Sequence, residues 1–286
     1  MADYTKDKIE NWVRKALLNP NNFYKKTIKE LDSSGSVLVN LRDSEYNKWI
    51  IQELINNDNY KNLLDNITTN KADERLSYSV DRKNKKNYFS DKLTEKRLAI
   101  CFYNNRDEYD FIGKRLHYET PIRFYKKTKE KEIEVREGAI DLVYQTPEYI
   151  NLIELKSDTN DETLLRAILE ICTYYKKLNT TQFYNDFKDS LEFKKPFQLA
   201  LLLENSTGAY KDAECLSADY KKLLEKISNH LNCPIKIYGF KKICSVPFAI
   251  DNNKGKPILK ETDFKIEELQ SFKPEIVHIW RNLQLL

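Results

Sequence analysis

Residues 138–158 read GAIDLVYQTPEYINLIELKSD, and no other stretch limits the fold as much. Two apolar runs flank a turn signal at Pro147, so the halves read as paired strands. Yet Asp141, Glu154 and Lys156 lie inside those apolar runs. A charge buried without a partner is so costly that such residues keep a partner, a metal or a chemical task.

A hairpin centred on Pro147–Glu148 sets Asp141 opposite Glu154. Opposed side chains in an antiparallel pair share a face, with Cβ atoms roughly 4.5–5.5 Å apart. Lys156 shares that face about 6.6 Å along the strand. Ile140, Leu142, Ile153 and Leu155 are expected to point the other way, into the core. Two carboxylates so placed suit a hard divalent cation such as Mg²⁺ or Mn²⁺, with water and substrate phosphate completing its shell. Such a cation polarises a phosphoryl group and acidifies water. A neighbouring lysine can orient or deprotonate the attacking water and offset developing charge. This is equipment for phosphodiester hydrolysis.

The rest of the chain supplies the setting. In KDKIENWVRKALL, Ile9, Trp12, Val13, Ala16 and Leu17 recur at helical spacing, and SEYNKWIIQELI repeats this with Tyr46, Trp49, Ile50 and Leu54. LDSSGS between them reads as a turn. Residues 1–85 are therefore expected to form a helical extension, and 86–286 a second domain. The latter opens on a basic, polar stretch and a helix with Leu98, Cys101 and Phe102 on one side. RLHYETPIRFY reads as a strand interrupted near Pro121, followed by the solvated hairpin arm KKTKEKEIEVRE. After the two charged strands comes a helix in TNDETLLRAILEICTYYKKL, with a capping box at Thr159 and Glu162 and lysines in its last turn. Then follow the strand FQLALLLE, a helix over 212–231, the strands PIKIYGF and ICSVPFAI, and a C-terminal helix presenting Ile276, Ile279, Trp280 and Leu283. Strands alternating with helices predict an α/β domain.

Composition narrows the classes. The 286 residues are 41% hydrophobic and 32% charged, enough for one large core or a core with an appendage. A net charge of +4 fits a nucleic-acid partner without requiring one. Five cysteines without a CxxC pair suggest reduced, buried thiols, not a disulfide or zinc framework. Six glycines form no GxGxxG or P-loop, which argues against a nucleotide-hydrolysing motor. The polar N-terminus and short aliphatic runs predict a soluble cytoplasmic protein with no membrane partner. His117, His230 and His278 lack metal-ligand spacing and read as structural or exposed. The lysine pairs at 126–127, 176–177, 194–195, 221–222 and 241–242 read as solvated faces, some able to line a phosphate-binding groove.

An aspartate, then Glu-x-Lys on the next strand, then a helix resembles the PD-(D/E)xK nuclease superfamily. The resemblance spans about residues 90–250 and implies a restriction-endonuclease-like αβββαβ core: a mixed central sheet flanked by helices. GAID is similar to the G-x-x-D of RecB-like members, although Ile140 replaces the usual proline. Those members carry Gln-x-x-x-Tyr on the following helix; here Glu170 stands in the glutamine's place, with Tyr174 in register. The resemblance implies that Asp141 and Glu154 bind metal and that Lys156 activates water. It also implies that Glu95, on the first core helix, completes the metal site, and it gives Glu170 and Tyr174 supporting parts. Read blandly, Asp141, Glu154 and Lys156 form a structural salt bridge, Glu95 is an exposed helix acid, Glu170 pairs with Arg166 on a surface, and Tyr174 packs. The function expected is a Mg²⁺- or Mn²⁺-dependent deoxyribonuclease of restriction, defence or repair type. The resemblance permits two copies to pair as a homodimer to cut both strands. The rival is a catalytically silent nuclease fold that binds nucleic acid or a protein.

Overall fold

The computed structural model describes residues 5–18, 20–25, 44–67, 76–78, 87–88, 95–104, 112–157, 162–191, 193–241, 249–251, 256–259 and 275–281. The expected helical spacing produces α1 (Lys6–Leu17), with Ile9, Trp12, Val13 and Ala16 buried. It also produces α2 (Ser44–Ile55), which buries Ile50, Ile51 and Leu54. A short helix, α3 (Asn59–Asp65), follows. The LDSSGS turn lies outside the described residues.

After a two-residue strand, β1 (Asn87–Tyr88), the chain runs through α4 (Glu95–Asn104), β2 (Lys114–Lys127), β3 (Glu132–Gln145) and β4 (Ile150–Lys156). Next come α5 (Leu164–Lys177), α6 (Thr180–Asp186), β5 (Phe197–Glu204), α7 (Gly208–Glu214), α8 (Ala218–Leu231) and β6 (Ile235–Phe240). The last strands are β7 (Ala249–Asp251), β8 (Lys256–Leu259) and β9 (Ile276–Arg281). Six strands form one mixed sheet in the order β2-β3-β4-β5-β6-β9, while β1, β8 and β7 form a small separate one. The joins around β4 decide where the site falls: β3 pairs with it antiparallel, β5 parallel.

Helices cover both faces. Ile9, Ile50 and Leu64 from α1–α3 join α5, α8 and Leu199, Leu201 and Leu203 of β5 in one apolar cluster. On the other face α4 buries Leu98 through Phe102 against Leu142, Ile153, Leu155 and Leu202. Hence β4 and β5 are buried along their whole length, as strands of a twice-covered sheet are. This is the α/β architecture expected, with a mixed sheet between helices.

Five local expectations are corrected. Pro121 does not interrupt β2, which pairs straight through Pro121↔Ala139; β2 is an edge strand, where a missing N–H costs little. The irregularities lie at Arg115/His117 and Ile122/Arg123, and Glu119 has a φ of 49°. The helix expected over 212–231 is two helices, because Ser217 caps a new start by accepting from the Tyr220 amide at 3.3 Å. Helix α5 is capped by Thr163, which accepts from the Arg166 amide at 3.3 Å, while Thr159 lies outside the described residues. Residues 276–281 are a strand and not a C-terminal helix: the β-branched and aromatic run IVHIW pairs antiparallel with the free edge of β6. Finally, Ile140 joins the α5-side cluster, unlike Leu142, Ile153 and Leu155; strand alternation slips at Asp141, beside the left-handed Glu119.

Candidate functional site

The β3–β4 hairpin closes at Thr146. Its N–H donates to the Tyr149 carbonyl at 2.9 Å, and its hydroxyl accepts from the Tyr149 amide at 3.0 Å. This sets the expected register, from Gln145↔Ile150 to Leu142↔Ile153. Past Leu142 the backbone ladder stops. There Asp141 Oδ2 accepts from the Leu155 amide at 2.8 Å, so a side chain stands in for the missing strand neighbour.

On the α5 side of β4, Glu154 is 4% exposed and Lys156 2%. Lys156 Nζ donates to Glu154 Oε1 at 2.8 Å and to Glu170 Oε2 at 3.1 Å. It also forms an ion pair with Glu162 Oε2 at 2.9 Å. Glu170 is thereby drawn into the cluster, and Arg166 pairs with Glu162 instead, at 3.0 Å. Tyr174 donates its hydroxyl to Glu170 Oε1 at 2.8 Å and accepts from the Tyr24 hydroxyl at 3.3 Å. That hydroxyl needs Gly138 below it: a Cβ there would lie 2.2 Å from the oxygen. Glu95, at the start of α4, accepts from the Ser157 amide at 3.4 Å. The structure therefore gathers Glu154, Lys156, Glu170 and Tyr174 by direct contact, with Asp141 and Glu95 bound to backbone on either side of Lys156.

Electrostatics follow from crowding. Burial pushes the Asp141 carboxyl well above its usual range; Lys156 opposes this, while Glu95 and Glu119 add to it. Burial likewise raises Glu154, reinforced by Asp141 and Glu170. Burial alone would lower Lys156, but Glu154, Glu170, Glu95 and Glu162 outweigh it and hold the ammonium well above its ordinary value. Lys156 is a persistent cation in this setting.

Among the described residues, no three carboxylate, imidazole or thiolate groups stand ready as a metal cage. The donor chemistry nevertheless suits a hard cation. Every acid in the cluster offers oxygen, and Glu154 Oε2 is buried with no hydrogen-bond partner. Such an orphan is expensive to keep dry, and a cation would relieve it.

Sequence reasoning missed three contributors. Glu162 was read as part of a capping box, yet it binds Lys156. Tyr24 steadies Tyr174. Glu119 is 8% exposed, stands across from Asp141 in the β2/β3 ladder and pairs with Arg136 at 3.3 Å. Its signal was the one used for Asp141, an acid inside an apolar strand. Two lysines read as solvated are buried: Lys177 pairs with Glu137, and Lys195 donates to the Thr146 carbonyl at 2.8 Å. The histidines are engaged structurally, His117 with Thr120 and His230 with Asp65, both at 2.8 Å. No helix among the described residues is long and apolar enough to cross a membrane. Neither a protein-family model, nor a curated protein, nor a solved structure matches the chain.

Proposed function

We propose that the chain is a divalent-metal-dependent nuclease of the PD-(D/E)xK type, hydrolysing phosphodiester bonds in DNA. One observation carries the reading: a buried lysine held within 3.1 Å by three carboxylates, where Asp141 marks the parting of two strands. The order α4-β2-β3-β4-α5-α6-β5, with β4 and β5 parallel, supports it.

Asp141 and Glu154 would hold Mg²⁺ or Mn²⁺, with Glu95 as a third oxygen donor. Bound there, the metal would polarise the scissile phosphoryl group and lower the pKa of water. Lys156 acts as a cation: its ammonium positions a water or phosphate oxygen by donation and offsets negative charge in the transition state. Being held charged, it is poorly suited to remove a proton. Glu170 and Tyr174 fix the ammonium in place and are positioning residues.

The test is incubation with supercoiled, linear and single-stranded DNA and with RNA, under Mg²⁺ or Mn²⁺. Cleavage of DNA that disappears with EDTA and with Lys156→Ala is expected. Four intact substrates, or cleavage that survives Lys156→Ala, would end the proposal. The closed ion cluster also favours a second reading, a silent module that binds nucleic acid or protein, since Lys156 is already fully engaged. Binding without metal-dependent cleavage would select it. A role in restriction, defence or repair, and paired copies cutting both strands, belong to the first reading.

A further inference from the structure

The proposed chemistry leaves the longest hairpin unused. β3 pairs with β4 only from Leu142 to Gln145, but with β2 out to Lys127↔Glu132. A two-stranded ribbon therefore leaves the sheet beside Asp141. Its base is anchored: Ile122 and Phe124 are buried, and Arg123 donates to the Ser77 carbonyl at 2.6 Å. From Lys126 to Glu134 every residue is exposed.

The tip is rigid and basic. The Thr128 hydroxyl donates to the Lys131 carbonyl at 2.7 Å and accepts from its amide at 3.1 Å, closing the turn without glycine. Four lysines, 126, 127, 129 and 131, share the exposed limb with Glu130, Glu132 and Glu134; Glu134 is taken by Arg123 at 3.0 Å, and none of the four lysines has an ion pair among the described residues. Ile133, 41% exposed, pairs with Lys126 across the ladder. The exposed limb is about 13 Å long at roughly 3.3 Å per residue. That exceeds the ~8.5 Å depth of a B-DNA major groove, whose ~12 Å width admits a two-stranded ribbon. A preformed tip loses little freedom on docking.

We propose that the β2–β3 ribbon grips double-stranded DNA, its four lysines contacting phosphates flanking the backbone presented to Asp141. The duplex's relation to Asp141 rests on the nuclease reading; the grip itself requires no hydrolysis. The rival account is that exposed lysines merely keep an edge ribbon from pairing with other chains.

Binding of the full chain to a 20-base-pair duplex and to the matching single strand, in EDTA across a salt series, decides between them. The comparison is between Lys126, Lys127, Lys129 and Lys131 all changed to Gln and a control with exposed Lys15, Lys188, Lys221 and Lys222 changed to Gln. The ribbon variant should lose at least tenfold in duplex affinity at low salt, and its log–log salt slope should flatten by about 4, near one unit per phosphate contact. The control should change far less, and four Lys→Arg changes in the ribbon should restore binding. Equal losses in both variants, a preference for single strands, or no duplex binding by the unaltered chain would overturn the grip. Duplex binding with no metal-dependent cleavage would leave the grip standing and sink only the hydrolase reading.

Discussion

The β3–β4 hairpin and the β2–β3 ribbon share a strand and a turn design, but opposite surroundings. In each, a threonine hydroxyl and amide bridge to the residue three positions on, Thr146 to Tyr149 and Thr128 to Lys131. One hairpin is covered by helices on both faces; the other ends in water. In the first, every charge has to be balanced by protein, so Lys156 collects Glu154, Glu162 and Glu170. In the second, water does the balancing, and the proposed duplex grip would draw on those lysines. The turn sets the register, and burial decides whether a charge is a structural commitment or a docking point.

Lys156→Ala should break the contrast most severely. It strands three acids, two of them on strands or helices packed against the core, and removing one partner of a buried ion pair typically costs about 3–5 kcal/mol. Urea unfolding at neutral pH should show that loss, and DNA cleavage should fall by at least about a hundredfold. Lys127→Ala and Lys129→Ala, by comparison, should stay within about 0.5 kcal/mol. A large loss at the ribbon tip would mean that the two hairpins do not differ as argued.

Gly138→Ala comes next. The added methyl would meet the Tyr174 hydroxyl at 2.2 Å, and overpacking of this sort costs about 1–3 kcal/mol. Combining it with Tyr174→Ala removes the clashing oxygen together with Cε1 and Cζ, each of which would lie 2.6 Å from the methyl. The double variant should therefore be more stable than the two single losses predict, and a thermodynamic cycle measures the coupling. Additive losses would refute the close approach as the reason for this glycine.

The same contrast explains what was legible in the sequence. Asp141, Glu154 and Lys156 were readable because buried charge is anomalous in an apolar strand, and the pairing register followed from Pro147 and the strand period. Glu170 was ambiguous, since Glu170 and Arg166 also fit an ordinary helix-surface pair; only the fold shows that Glu162 takes Arg166 and leaves Glu170 to Lys156. β9 misled because Ile276, Ile279 and Trp280 stand at helical spacing within a β-branched and aromatic run, and the open edge of β6 decided the matter. Pro121 misled because its cost depends on whether the strand is an edge, which spacing does not encode.

The two threonines offer a finer comparison. Thr146→Val and Thr128→Val keep the branched shape and delete the hydroxyl bridge, so each should cost about 0.5–1.5 kcal/mol, the usual net value of a hydrogen bond. Thr146 is half-buried and Thr128 exposed, so the first should lie at the upper end. Thermal unfolding of both variants measures the ratio. A greater loss at Thr128 would show the ribbon tip to be a folding element and not a solvent-exposed tool.

Asp141→Asn should have the smallest effect on stability, visible mainly through pH. Burial, above all, raises the Asp141 carboxyl, with Glu95 and Glu119 adding to it against Lys156. A carboxyl that binds its proton more tightly when folded gives stability that is fully present below its unfolded value of about 3.9 and is lost as pH rises through the higher folded value. Glu154 carries the same sign. Lys156, also raised, contributes below its ordinary value of about 10.4 and loses that contribution only as pH climbs past its higher folded value, so it is silent between pH 5 and 8. Asparagine keeps an acceptor for the Leu155 amide without the charge. The variant and the unaltered chain should therefore melt together near pH 4, and the variant should gain by a few degrees as pH approaches 8. Mg²⁺ should narrow that gap by stabilising only the unaltered chain, because ligand binding to the folded state adds stability by mass action. A gap that is constant with pH would show that Asp141 is not charge-strained in the fold, and one indifferent to Mg²⁺ would remove it from the cation site.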